Sequence, residues 1–264
     1  MTTPVNQSKI KIYKPKLTEY KLKMLIYGPP GVGKTSLAAT ANLHELTREV
    51  LFINIEGGML SISEAEELGL PDVPSVVDLE DFDHLEDIFW YLAKGDHPFR
   101  TVCVDSLSEL QLVNIESIVR EQLKKVSGSG ARRESLDDVW QEDYGKSTQQ
   151  MRRWVRRFRD LPMHVIFTCH DRLSQDKEKN ETVYPALTPQ VRTAVMGYMD
   201  IVAYMFNSTV ENENGDEVLV RRLLCQPYGK WIAKDRSPGG KLGMVIDNPT
   251  IPDMINKILK GRDK

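Results

Sequence analysis

Residues 28–35 read Gly-Pro-Pro-Gly-Val-Gly-Lys-Thr, and this segment constrains the fold more than any other. It satisfies G-x-x-x-x-G-K-[ST], the phosphate-binding loop. Gly28, Gly31 and Gly33 permit a tight turn whose backbone N–H groups point inward at phosphate oxygens. Lys34 supplies a point charge for the β- and γ-phosphates, and the Thr35 hydroxyl is a ligand for Mg²⁺. Pro29, Pro30, Val32 and Ser36 complete the candidate nucleotide-binding set. Such a loop needs a strand before it and a helix after it. LKMLIY at 22–27 is apolar and strand-like. Residues 34–47 suit a helix, with Leu37 and Ala41 at i, i+4 spacing.

The same alternation continues. VLFINI at 50–55, TVCVD at 101–105, HVIFTC at 164–169 and DIVAYMF at 200–206 read as short buried strands. Between them, helical periodicity runs from Asp81 or Asp83 to Gly95, with Leu85, Ile88, Phe89 and Leu92 on one face. A second helix is predicted over 108–125 and a last one over 252–260. Short β-branched strands separated by helices imply βαβ units and an α/β fold with a mostly parallel, twisted sheet. Asn214-Gly215 is a hairpin signal, so 217–226 and 230–234 are predicted as an antiparallel extension at the sheet edge.

Two further acids fit the chemistry of the loop. Asp105 ends an apolar strand, where a carboxylate on a strand adjacent to the loop strand would orient Mg²⁺. A helix N-cap is the other reading of Asp105-Ser106. Asp78 is a weaker rival. Glu56 ends the 50–55 strand and could polarise an attacking water, or simply be a solvated strand-end acid. AAA+ proteins usually carry the catalytic glutamate directly after the aspartate, and here Ser106 stands there.

Taken in order, GPPGVGKTS, LFINIEGG, TVCVDSLSEL, Trp140 to Tyr144-Gly145, HVIFTCHDR and WIAKDR resemble the RecA-like ATPases. More narrowly they resemble short phage nucleotide-binding proteins linked to single-strand annealing and recombination, the Sak-four type. The resemblance covers about residues 20–250. It implies a RecA-like core that binds ATP and Mg²⁺, hydrolyses ATP slowly or under DNA stimulation, and acts as a homo-oligomeric ring or filament on single-stranded DNA. A phage single-strand-binding protein is a further implied partner, and a bacterial host cytoplasm the implied setting, with a phage or prophage source. His170, after the fourth strand, would sense the γ-phosphate where relatives often carry glutamine; a capping or packing histidine is the plainer reading. Lys234 and Arg236 of WIAKDR resemble the Lys-x-Arg element that reaches a neighbour's nucleotide site, or are a solvated strand-end pair. The loops 127–142 and 171–192 are the candidate DNA contacts, through Arg132, Arg133, Tyr184 and Arg192.

Composition sets outer bounds. The chain has 264 residues, of which 35 are basic and 38 acidic. That suits residues 21–264 as one ATPase domain behind a basic extension at 1–20. The net charge of −3 averages a lopsided distribution: twelve acids and one lysine over 56–96, five arginines within 151–160, ten basic side chains and four acids over 219–264. Tyr144, Met151, Val155 and Phe158 fall at core-facing spacing, which makes the arginine run a solvated or ion-paired helix face as readily as a DNA patch. No apolar run approaches a membrane span, and no apolar leader opens the chain. Cys103, Cys169 and Cys225 form no metal-ligand spacing, and the two inside apolar strand-like runs read as buried thiols. Two other functions share the loop: a nucleotide-gated interaction module, resembling a helicase loader or a KaiC-like ring, and a small-molecule kinase with the 151–160 arginines as its lid.

Overall fold

The computed structural model describes residues 14, 16, 19–63, 66, 69–124, 134–212 and 214–259. The predicted basic extension at 1–20 therefore lies almost wholly outside the described residues, as do Arg132 and Arg133.

The six parallel strands are β1 (Lys23–Gly28), β2 (Val50–Asn54), β3 (Ser75–Asp78), β4 (Thr101–Asp105), β5 (His164–Gln175) and β7 (Ile201–Glu211). The antiparallel ones are β6 (Glu181–Pro185), β8 (Glu217–Leu224), β9 (Lys234–Asp235) and β10 (Val245–Asp247). Together they form a ten-stranded sheet ordered β10-β8-β7-β1-β5-β4-β2-β3, with β6 beside β5 and β9 beside β7. β1, β2, β4 and the first half of β5, His164 to Cys169, are buried almost end to end, as they must be when helices cover both faces of a parallel sheet.

Alternation along each strand builds two cores. Leu25 and Tyr27 of β1 face one, and Met24 and Ile26 face the other. The first core is closed by α2 (His84–Lys94), α3 (Leu107–Lys124), α4 (Gln141–Arg159) and α5 (Pro189–Tyr198). The second is closed by α1 (Lys34–Ala39) and α6 (Ile251–Leu259). Gly95 ends α2 in the left-handed conformation, at φ 77°, where glycine has no Cβ penalty.

Several expectations shift. The helix predicted over 34–47 stops at Ala39 and tightens into a 3₁₀ turn at Thr40–Leu43. The segment 171–192, predicted as a long loop, is ordered: β5 runs on to Gln175, turns, and returns as β6 before α5 begins. Val183, Pro185 and Leu187 alternate inward along that return. The predicted strand at 230–234 shrinks to Lys234–Asp235, paired with the start of β7 rather than with β8. Tyr144 is 45% exposed and does not join the core; Met151, Trp154, Val155 and Phe158 of α4 do. All three cysteines are buried and free.

Candidate nucleotide site

The strand order places the site. β1, β5, β4 and β2 run side by side in parallel, so their carboxyl ends line one rim, the edge where α/β proteins bind ligands. Gly28 is in register with His170, and Asn54 with Asp105. The loop residues, Asp105, His170 and Glu56 are thus brought to one crest. The aspartate strand is not adjacent to the loop strand, as the sequence suggested: β5 lies between β1 and β4. The gap is bridged by side chains.

The Thr35 hydroxyl donates to Asp105 Oδ2 at 2.6 Å. Thr168, on the intervening β5, donates its hydroxyl to Asp105 Oδ1. Asp105 is 3% exposed, and both carboxylate oxygens are engaged. Both oxygens thus face the place where a cation would sit. The N-cap reading of Asp105 is thereby displaced, since its side chain points back to the loop. Thr168 was not singled out in the sequence; its only signal was a hydroxyl inside the apolar run HVIFTC. Asp78 stands on the edge strand β3, where its Oδ1 accepts from Asn54 Nδ2 at 2.6 Å.

Lys34 folds its amine into the turn of the loop, donating to the carbonyls of Gly28 at 2.9 Å and Pro29 at 2.8 Å. Burial lowers its pKa, while Glu56 and Asp105 push it back up. Close packing fixes the turn as well. A Cβ at Gly28 would stand 2.3 Å from the Met205 carbonyl oxygen of β7, so no larger residue fits. Glu56 projects from the tip of β2, and its Oε1 lies 3.0 Å from His170 Nε2. The carboxylate accepts, so Nε2 carries the proton. The His170 amide donates to Ser108 Oγ at 3.1 Å, which ties the tip of β5 to the first turn of α3.

The donor set fits a nucleoside triphosphate with Mg²⁺. Lys34 and the loop amides suit phosphate oxygens. Thr35 and Asp105 would hold the metal, a sparse protein set typical of an ion that keeps substrate oxygens and waters. No group of three or more acidic, His or Cys side chains able to hold a metal by itself occurs among the described residues.

The remaining predicted residues are elsewhere. Lys234 pairs with Val202, and the Arg236 amide donates to the Asp200 carbonyl, beside the start of β1. Arg236 is thus level with Lys23, about 16 Å along β1 from Gly28, and Lys234 is level with Leu25, about 10 Å from it. Lys234 Nζ donates to the Met196 carbonyl, and burial lowers its pKa to about 8. Tyr184 and Arg192 come together, the guanidinium carbon 3.5 Å from the ring centroid. They line a groove of about 1050 Å³ that also includes Tyr144, Arg172 and, at the nucleotide end, His170. Of the α4 arginines, Arg157 lies over the Trp154 ring and 3.8 Å from Glu86, Arg159 pairs with Asp160 at 2.6 Å, and Arg152 and Arg153 are exposed. One cation that sequence reasoning missed touches the loop. Arg221 of β8 lies against Gly33.

Fold and loop together define a P-loop domain of the ATPase type, with a nucleotide-binding crest at the ends of parallel strands. The chain belongs to the AAA domain family, whose model matches residues 20–237. This is broader than the phage annealing group suggested by the motif order. Among solved structures the chain is similar to an ATPase from the type III secretion system of pathogenic bacteria, at 13% identity and TM-score 0.44, covering 70% of this chain and 52% of that one. It is also similar to the Legionella pneumophila ATPase DotB, at 10% identity and TM-score 0.33, covering 84% and 49%. The chain thus spans about half the length of each. No curated protein matches the sequence. No helix among the described residues is long and apolar enough to cross a membrane.

Proposed function

We propose that the protein is a Mg-ATP-dependent ATPase that binds single-stranded DNA as an oligomer and supports recombination or strand annealing, in the manner of phage annealing proteins. The groove that starts at His170 and runs past Arg172, Tyr184, Arg192 and Tyr144 carries this reading. It is continuous with the nucleotide crest, and its tyrosines offer stacking platforms. Glu109 and Glu116 line it too, so stacking rather than net charge is the main attraction.

In the reaction, Lys34 and the loop amides position the triphosphate for in-line attack. Thr35 and Asp105 would hold Mg²⁺, which when bound would neutralise phosphate charge. Glu56 accepts the proton of the attacking water, and His170 orients its carboxylate. His170 joins Glu56 to the mouth of the groove, which links turnover to DNA. Lys234 and Arg236 are too far from their own loop to reach its phosphates, so their role belongs to a neighbouring copy.

ATP hydrolysis measured with and without single-stranded DNA tests the proposal. DNA binding in some nucleotide state, weakened several-fold by Tyr184→Ala, is the expected result. Absence of DNA binding in every nucleotide state refutes it. One observation favours the second reading, a nucleotide-gated interaction module: Leu112 and Leu173 in the same groove are 58% and 53% exposed, as a protein-binding surface would have them. Tight ATP binding without turnover, with no DNA affinity, would select it. For the kinase reading, Arg157 and Arg159 are taken from the lid by stacking and ion pairing, while Arg152 and Arg153 stay exposed.

A further inference from the structure

Strand β8 carries two consecutive arginines that alternate to opposite faces of the sheet. Arg222 is committed, with Nε 2.9 Å from Asp247 Oδ1. Arg221 has no ion pair among the described residues and is exposed. It points to the α1 face, the side on which Leu223 and Cys225 are buried. There its side chain lies against Gly33: a Cβ added to that glycine would stand 3.2 Å from Nε and 3.3 Å from Cζ. Gly33 is the residue immediately before Lys34.

The placement is enforced from behind. Asn248 donates its amide to the Arg221 carbonyl at 2.7 Å, and its Oδ1 accepts from the Arg221 amide at 3.3 Å. Asn248 does this from a left-handed backbone, at φ 44°, which asparagine tolerates better than most residues. The backbone of Arg221 is therefore clamped on both hydrogen-bonding groups, while its charge is left unneutralised against the phosphate loop. An unpaired guanidinium held there is an anion-recognition group.

We infer that Arg221 binds the polyphosphate of the nucleotide in cis, as a second cation beside Lys34. The inference rests on the nucleotide-binding reading above and adds a residue to that site from the far antiparallel extension of the sheet. It also gives that extension a role: β8 delivers to the loop a charge that the parallel core lacks.

Calorimetric titration of the full chain with Mg-ATP and, separately, with inorganic tripolyphosphate tests it. Arg221→Met keeps the aliphatic contact with Gly33 and removes the charge. It should weaken both ligands on the order of tenfold, the size of one charge-assisted hydrogen bond, without lowering the melting temperature of the unliganded chain. Arg221→Lys should recover part of the loss. Wild-type affinity in Arg221→Met overturns the inference. So does a loss confined to ATP, which would place Arg221 on the nucleoside. A lower melting temperature with no recovery in Arg221→Lys reduces the residue to packing and overturns it as well. If the wild-type chain binds neither ligand, the nucleotide-binding reading itself fails, a result distinct from these.

Discussion

At the scale of single residues, the proposed function divides the crest into groups that bind and a group that turns over. Lys34 sits at the centre of the loop, so Lys34→Ala should abolish ATP binding, as read by calorimetry. Among the described residues Glu56 is bonded to His170 alone, and it lies outside the loop. Glu56→Gln should therefore bind ATP normally and hydrolyse it about 10²–10⁴-fold more slowly; normal turnover would remove Glu56 from the chemistry. Lys34, Thr35 and the glycines were legible in the sequence because each is demanded by a local backbone shape. Thr168 and Arg221 were not, because their partners lie far along the chain and only strand register brings them near. A different residue sets the acid response. His164 is buried, and its Nδ1 accepts from the Leu22 amide at 2.9 Å. Burial, then Lys21 and Lys23, push its pKa from the ordinary 6.5 to about 3. The unfolded chain binds this proton first, so the stabilisation is complete above about pH 6.5 and is lost as pH falls toward 3. His164→Asn, whose Oδ1 can accept in place of Nδ1, should flatten that part of the denaturation profile measured against pH.

At the scale of elements, helix α4 shows why composition misleads. Its five arginines suggest a DNA patch, yet Asp143 Oδ2 accepts from the Trp140 amide at 2.8 Å to start the helix, and its apolar face is locked into the core. Phe158 meets the Phe89 ring edge-on at 5.6 Å. Phe158→Ala should cost about 3–5 kcal/mol in chemical denaturation, and Arg152→Ala on the exposed face no more than about 0.5 kcal/mol. The β5–β6 hairpin makes the opposite point. Its alternate polar residues read as loop, but Val183, Pro185 and Leu187 are a period-two signal that turn-like neighbours obscured. Helix α1 ended early for a similar reason: Thr40 turns its hydroxyl to the Leu37 carbonyl and also accepts from the Ile251 amide, so α6 decides where α1 stops.

At the scale of the whole molecule, the active crest and Arg236 lie about 16 Å apart along β1. If neighbours complete each other's sites, Lys34→Ala and Arg236→Ala chains should each be inactive alone and regain part of their turnover when mixed. Mixtures that stay inactive, beside an active wild type, would rule out the shared site.

The sequence by itself determined the phosphate loop, the alternation of strands and helices, the parallel core and the acids at two strand tips. Those depend on local backbone geometry and on the period of apolar residues, which a chain carries wherever it folds. Only the tertiary structure decided the strand order. With β5 between β1 and β4, Thr168 became the bridge to Asp105, His170 became the partner of Glu56, and the antiparallel extension brought Arg221 to Gly33. Each of these pairings spans dozens of residues, and non-local register is set by packing two cores at once rather than by any segment alone.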